Sequence, residues 1–122
     1  MTRPWAEIRE HYGDERLVDK SATAGMLKLV TAIMDSRYAD GLHAWTSILD
    51  LCIVQTPMSY PYNGPYLRVS PRAHGKLEFR YIDTWKEDQQ WHRVVAQEDG
   101  FKRLEGFLEQ LHWFTKTRRP DA

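Results

Sequence analysis

The stretch "LRVSPRAHGKLEFRYI", Leu67 to Ile82, alternates apolar and polar side chains on either side of a short polar break, and its reading decides the fold. Alternation with period two predicts two strands whose successive side chains point to opposite faces. Gly75 enters left-handed backbone without strain, so Ala73, His74 and Gly75 are read as a three-residue hairpin loop. That loop sets Pro71 opposite Leu77, Val69 opposite Phe79 and Leu67 opposite Tyr81, which keeps the apolar pairs on one face. A two-residue loop would oppose Val69 to Arg80 and place core residues across from a charge. The other face then carries Arg68, Ser70 and Arg72 opposite Arg80, Glu78 and Lys76.

Toward the C-terminus, "RYIDTWKEDQQWHRVV", Arg80 to Val95, extends the second strand and adds another. Pairing Trp85 with Trp91 across the loop from Lys86 to Gln90 sets Asp83 opposite Arg93, Tyr81 opposite Val95 and Ile82 opposite Val94. This register makes Asp83 and Arg93 a structural pair. Toward the N-terminus, "HAWTSILDLCIVQT", His43 to Thr56, is read as one long central strand with Trp45, Leu49, Leu51 and Ile53 on one face and Ile48, Asp50, Cys52 and Val54 on the other. The loop "SYPYNGPY" follows, held by Pro61 and Pro65.

Outside this region the apolar spacing is helical. Trp5, Ile8 and Tyr12 mark a short helix ending at Gly13, and Met26, Leu29, Val30, Ile33 and Met34 mark a longer one from about Ala22 to Arg37, with Ser21 as its N-cap. Phe101, Leu104, Phe107, Leu108 and Leu111 form the stripe of a closing helix capped by Asp99. The expected fold is α+β: a four-stranded antiparallel meander with two N-terminal helices and one C-terminal helix on the face carrying Leu67, Phe79 and Tyr81. Residues 1–114 are expected to form a single domain and 115–122 a flexible tail.

A chain of 122 residues with 17 basic and 17 acidic side chains has no net formal charge, so no long-range field draws it to nucleic acid or an anionic membrane. The single cysteine, Cys52, excludes an intrachain disulfide and a cysteine-built zinc cage. The N-terminal stretch lacks the apolar core of a signal peptide, and no run reaches membrane-spanning length. A cytoplasmic location is the expectation.

Catalytic chemistry finds little support. No glycine elbow surrounds a serine, Cys52 sits in an apolar strand, and the five histidines include no pair at helical metal-ligand spacing. Neither a metal nor another cofactor is expected. Asp35, Asp40 and His43 in "DSRYADGLH" are turn chemistry.

The sharper signal is the face turned away from the helices, where Arg68 stands opposite Arg80. Like charges directly opposed are unfavourable, so the pair wants an anion, which Asp50 on the neighbouring strand or a ligand can supply. Arg68, Arg72 and Arg80, with Tyr66, the apolar Ile82 and Val94 beside them, and the loop residues Tyr60 and Tyr62, are therefore the candidate binding surface for a protein partner or a second copy of the chain. The immunity proteins that neutralise toxins and small adaptors are chains of this size. A second reading is a small-ligand pocket or modest enzyme between sheet and helices, with Tyr81, Asp83 and Arg93 as its polar groups.

Overall fold

A computed structural model of the chain describes residues 2–14, 20–57, 64–84 and 86–113, with backbone only for residues 20–22. The described residues form three helices, α1 (Trp5–Tyr12), α2 (Lys20–Met34) and α3 (Gly100–Gln110), and five strands, β1 (His43–Ser47), β2 (Asp50–Val54), β3 (Tyr66–Arg72), β4 (Lys76–Ile82) and β5 (Trp91–Ala96). The strands make one antiparallel meander in the order β1-β2-β3-β4-β5. The fold is α+β as expected, but the sheet has five strands rather than four.

The fifth strand comes from the stretch expected to be a single long strand. Residues 43–56 fold back on themselves at Ile48 and Leu49, so that Ser47 pairs with Asp50 and Ala44 with Ile53, and the reversal puts Trp45 on the face of Cys52 instead of that of Leu51 and Ile53. Of the two turn residues only Ile48 has positive φ, at 57°, in the position glycine usually takes in a two-residue hairpin. A β-branched residue there is strained. The turn is held from outside by α1: His11 Nε2 donates to the Ile48 carbonyl at 2.9 Å, and the Tyr12 hydroxyl donates to the Leu49 carbonyl at 3.0 Å. Trp5 Nε1 donates to the Leu42 carbonyl and Arg3 N to the Ala44 carbonyl, so the same segment also lines the outer edge of β1.

The β3–β4 register is the expected one, with Val69 opposite Phe79 and Arg68 opposite Arg80 across a loop in which Gly75 has φ 68°. His74 shares the left-handed region at φ 61°. The β4–β5 register differs from expectation. Tyr81, not Trp85, pairs with Trp91, and Phe79 pairs with Arg93, so Asp83 lies beyond the ladder and does not meet Arg93. The slip is even-numbered, and every side chain keeps its expected face. Packing explains the choice: Trp91 beside Tyr81 lies on the helix side, where its ring meets Phe107 of α3 edge to face at 4.9 Å. Phe107 also meets Phe79 at 4.9 Å, which locks α3 to two adjacent strands.

The core lies between the sheet and the helices. Leu51, Ile53, Leu67, Val69, Leu77 and Phe79 from the strands meet Met26, Leu29, Val30 and Ile33 of α2 and Leu104, Phe107 and Leu108 of α3, all buried. The helical stripes read from the sequence supply these contacts. Ser21 lies inside α2 instead of capping it, and Asp99 precedes α3 without a side-chain capping bond, because the tight turn Gln97–Asp99 leads the chain into that helix. Gly25 is needed in the middle of α2: a Cβ there would stand 2.6 Å from Gln97 Oε1. The expected tail, 115–122, lies outside the described residues, as do Tyr60, Tyr62 and Trp85.

Two substitutions test this account. Phe107→Ala removes the ring that joins α3 to β4 and β5 and should cost about 3 to 5 kcal/mol in a urea titration. Ile48→Gly should act in the opposite sense, raising stability by about 1 kcal/mol, because relief of left-handed strain outweighs the added freedom of the unfolded chain. A lower melting temperature for Ile48→Gly would show that the turn is not strained.

Candidate functional site

The sheet face opposite the helices is built from the alternate residues of every strand. Its central row runs Trp45, Cys52, Arg68, Arg80, His92 across the five strands, each residue paired with the next. Beside it lie the pair Tyr66 and Ile82 on one flank, and Ser70, Glu78 and Val94 on the other. None of these residues belongs to the core cluster into which α2 and α3 pack.

Arg68 and Arg80 stand side by side as the sequence predicts, and Asp50 lies between them. Arg68 Nε donates to Asp50 Oδ2 at 2.7 Å, and Arg80 Nη2 is 3.8 Å from the same oxygen. Burial pushes the Arg68 guanidinium toward its neutral form, but the hydrogen bonds it donates to Asp50 and Tyr66, together with the charges around it, outweigh this and raise its pKa. Arg68 Nη1 also donates to the Tyr66 hydroxyl at 3.3 Å. Arg68 is thus closely satisfied.

Arg80 is not. Its Nη2 reaches the neutral Ser70 hydroxyl at 3.3 Å, its ion pair with Asp50 is loose, and its buried Nε has no acceptor among the described residues. The side chain is only 20% exposed, so water replaces little of what is missing. Arg72, the third candidate arginine, is exposed and engaged elsewhere: it forms a salt bridge with Glu78 Oε1 at 2.6 Å, while Glu78 Oε2 lies 3.3 Å from His92 Nδ1.

Tyr66, Arg68 and Arg80 line one cleft together with Ile82, Glu87 and Gln90, with a volume of about 460 Å³. Tyr66, Arg68 and Arg80, and the apolar Ile82 read beside them in the sequence, therefore meet in one concavity. Glu87 and Gln90 were not read as site residues, because they belong to a loop whose path no periodicity reports.

The polar set Tyr81, Asp83 and Arg93 does not come together. A second cleft of about 410 Å³ lies between the β5 edge and α3, lined by Tyr81, Trp91, Phe107, Gln110 and Leu111. Tyr81 contributes to it, and burial followed by the nearby Asp83 charge raises the phenol pKa. Asp83 and Arg93 are not in its lining. Asp83 is exposed, and Arg93 lies over the Trp91 ring at 4.9 Å and donates to the His92 carbonyl.

Cys52 is fully buried in the central row, and burial pushes its thiol up to about 12, so it is protonated at neutral pH and is no nucleophile. Among the described residues no group of three or more His, Cys, Asp or Glu side chains could hold a metal ion, and no helix is long and apolar enough to cross a membrane. Comparison with protein-family models, curated proteins and solved structures gives no significant match.

The two aspartates read from sequence can be separated by mutation. Asp50→Asn leaves two partly buried guanidinium groups side by side without an anion and should lower stability by about 2 kcal/mol. Asp83→Asn should change it by less than about 0.5 kcal/mol, because Asp83 is exposed and off the ladder. Equal denaturation midpoints for the two variants would contradict this assignment of roles.

Proposed function

We propose that the chain is a protein-binding module that recognises its partner through the open sheet face. The observation that carries this reading is the cleft of Tyr66, Arg68, Arg80 and Ile82 on the sheet face turned away from the core that α2 and α3 cover. Arginine and tyrosine beside an apolar wall are the side chains that interfaces favour, and a sheet holds them on rigid backbone. Val94, 55% exposed at the β5 edge of the same face, adds apolar area that the core does not use. Chemistry at this face is disfavoured, since its one thiol is buried and protonated and its carboxylates, Asp50 and Glu78, are engaged by arginines.

The reading of a small-ligand site between sheet and helices has less support. The cleft at Tyr81, Trp91 and Phe107 is largely apolar, and the two charged groups that would orient a ligand lie outside its lining. A partner protein, or a second copy of this chain, fits the open face better than a small molecule fits that cleft.

Proteins recovered with the wild-type chain should be compared with those recovered by an Arg80→Gln, Val94→Glu double variant and by a control altered on another surface, Glu98→Lys. The double variant should lose at least tenfold of a partner that the control retains, with melting temperatures of all three within a few degrees. If the partner is the chain itself, sedimentation velocity should show a dimer that the double variant abolishes. Undiminished recovery or dimerisation would overturn the proposal.

A further inference from the structure

The chemistry of the group that enters the cleft follows from how unequally its two arginines are satisfied. We propose that the cleft takes a single carboxylate, presented by an acidic side chain of a partner protein, and that Arg80 is its recognition residue. This inference rests on the reading of the open face as a protein-binding surface and adds the identity of what is bound.

Asp50 serves Arg68 at 2.7 Å and reaches Arg80 only at 3.8 Å, so the cleft contains one guanidinium without a close anion. Arg80 Nε is a buried donor with no acceptor among the described residues, and Nη2 has a neutral hydroxyl at 3.3 Å. An arginine four-fifths buried beside a second cation gains most from one further acceptor that carries charge. The planar guanidinium fork matches a carboxylate in shape as well as in charge.

The charge on the whole face decides between anions. Arg68, Arg72, Lys76 and Arg80 project from it, Asp50 and Glu78 offset two of them, and Glu87 stands on the cleft rim. Lys76, outside the cleft, carries the surplus positive charge of the face, and at the cleft Asp50 and Glu87 balance Arg68 and Arg80. A monoanionic carboxylate adds the least negative charge to that balance, whereas a dianionic phosphate or a nucleic-acid backbone would bring more against Asp50 and Glu87. Ile82 and the Tyr66 ring give the carboxylate's own side chain an apolar wall, which favours glutamate or aspartate on a peptide over a free inorganic anion.

The test is a titration of the full chain, followed by NMR of the arginine Nε–H signals, with the capped tripeptide acetyl-Leu-Glu-Leu-amide and its Gln counterpart. The Glu peptide should shift the Arg80 Nε–H resonance saturably in the millimolar range, the Gln peptide should shift it less than a tenth as much, and inorganic phosphate should not displace the Glu peptide. Arg80→Lys, which keeps the charge and removes the fork, should weaken binding at least tenfold with an otherwise unchanged amide spectrum. No Arg80 shift at 20 mM peptide, equal shifts from both peptides, or displacement by phosphate would each overturn the inference. Loss of a partner in the Arg80→Gln, Val94→Glu variant without any response to the Glu peptide would remove the carboxylate and leave the binding surface standing.

Discussion

A slip of one residue between β3 and β4 would carry Arg68 and Arg80 into the core and turn Val69 and Phe79 out to solvent. What prevents it is the loop 73–75, where Gly75 accepts a backbone conformation that a Cβ would oppose. Everything else is referred to that register. It aligns Leu67, Val69, Leu77 and Phe79 as the floor on which α2 and α3 rest. By the same parity it gathers the arginines on the reverse side, so core and candidate site are two faces of a single constraint.

On the reverse side the governing term is electrostatic. Two guanidinium groups on neighbouring strands repel each other, and the fold relieves this with one carboxylate that is close to Arg68 and distant from Arg80. A symmetric arrangement would have closed the site. The asymmetry leaves a partly buried cation whose Nε has no acceptor among the described residues, beside an apolar wall and an aromatic ring.

The parts of this structure that were legible in the sequence share a physical cause, namely a pattern that only one register satisfies. The β3–β4 hairpin, the two faces of the sheet and the stripes of α2 and α3 are of this kind, and so is the juxtaposition of Arg68 with Arg80 near Asp50. The turn at Ile48 was not legible, because neither Ile48 nor Leu49 is a turn former and the conformation is imposed by His11 and Tyr12, 37 residues away in the chain. The β4–β5 register was misread for a related reason. Two tryptophans suggested a cross-strand pair, whereas the ring of Trp91 is positioned by Phe107 of α3, and local alternation carries no information about a helix that arrives later. The pairing of Asp83 with Arg93 was lost with that register.

The sheet's two outer strands are not alike. Along β1, Arg3 bonds the Ala44 carbonyl, and side chains of α1 occupy the carbonyls of Leu42, Ile48 and Leu49. Beyond β5 no further strand of the described residues is paired, and His92, Arg93 and Val94 are exposed there. Growth of a sheet from chain to chain needs two open margins on every copy, one to receive and one to offer. Where, among the described residues, β1 carries these bonds and β5 pairs with no strand beyond β4, two copies that met along β5 would use up both open margins, and such an assembly would end at a pair instead of extending into a fibre.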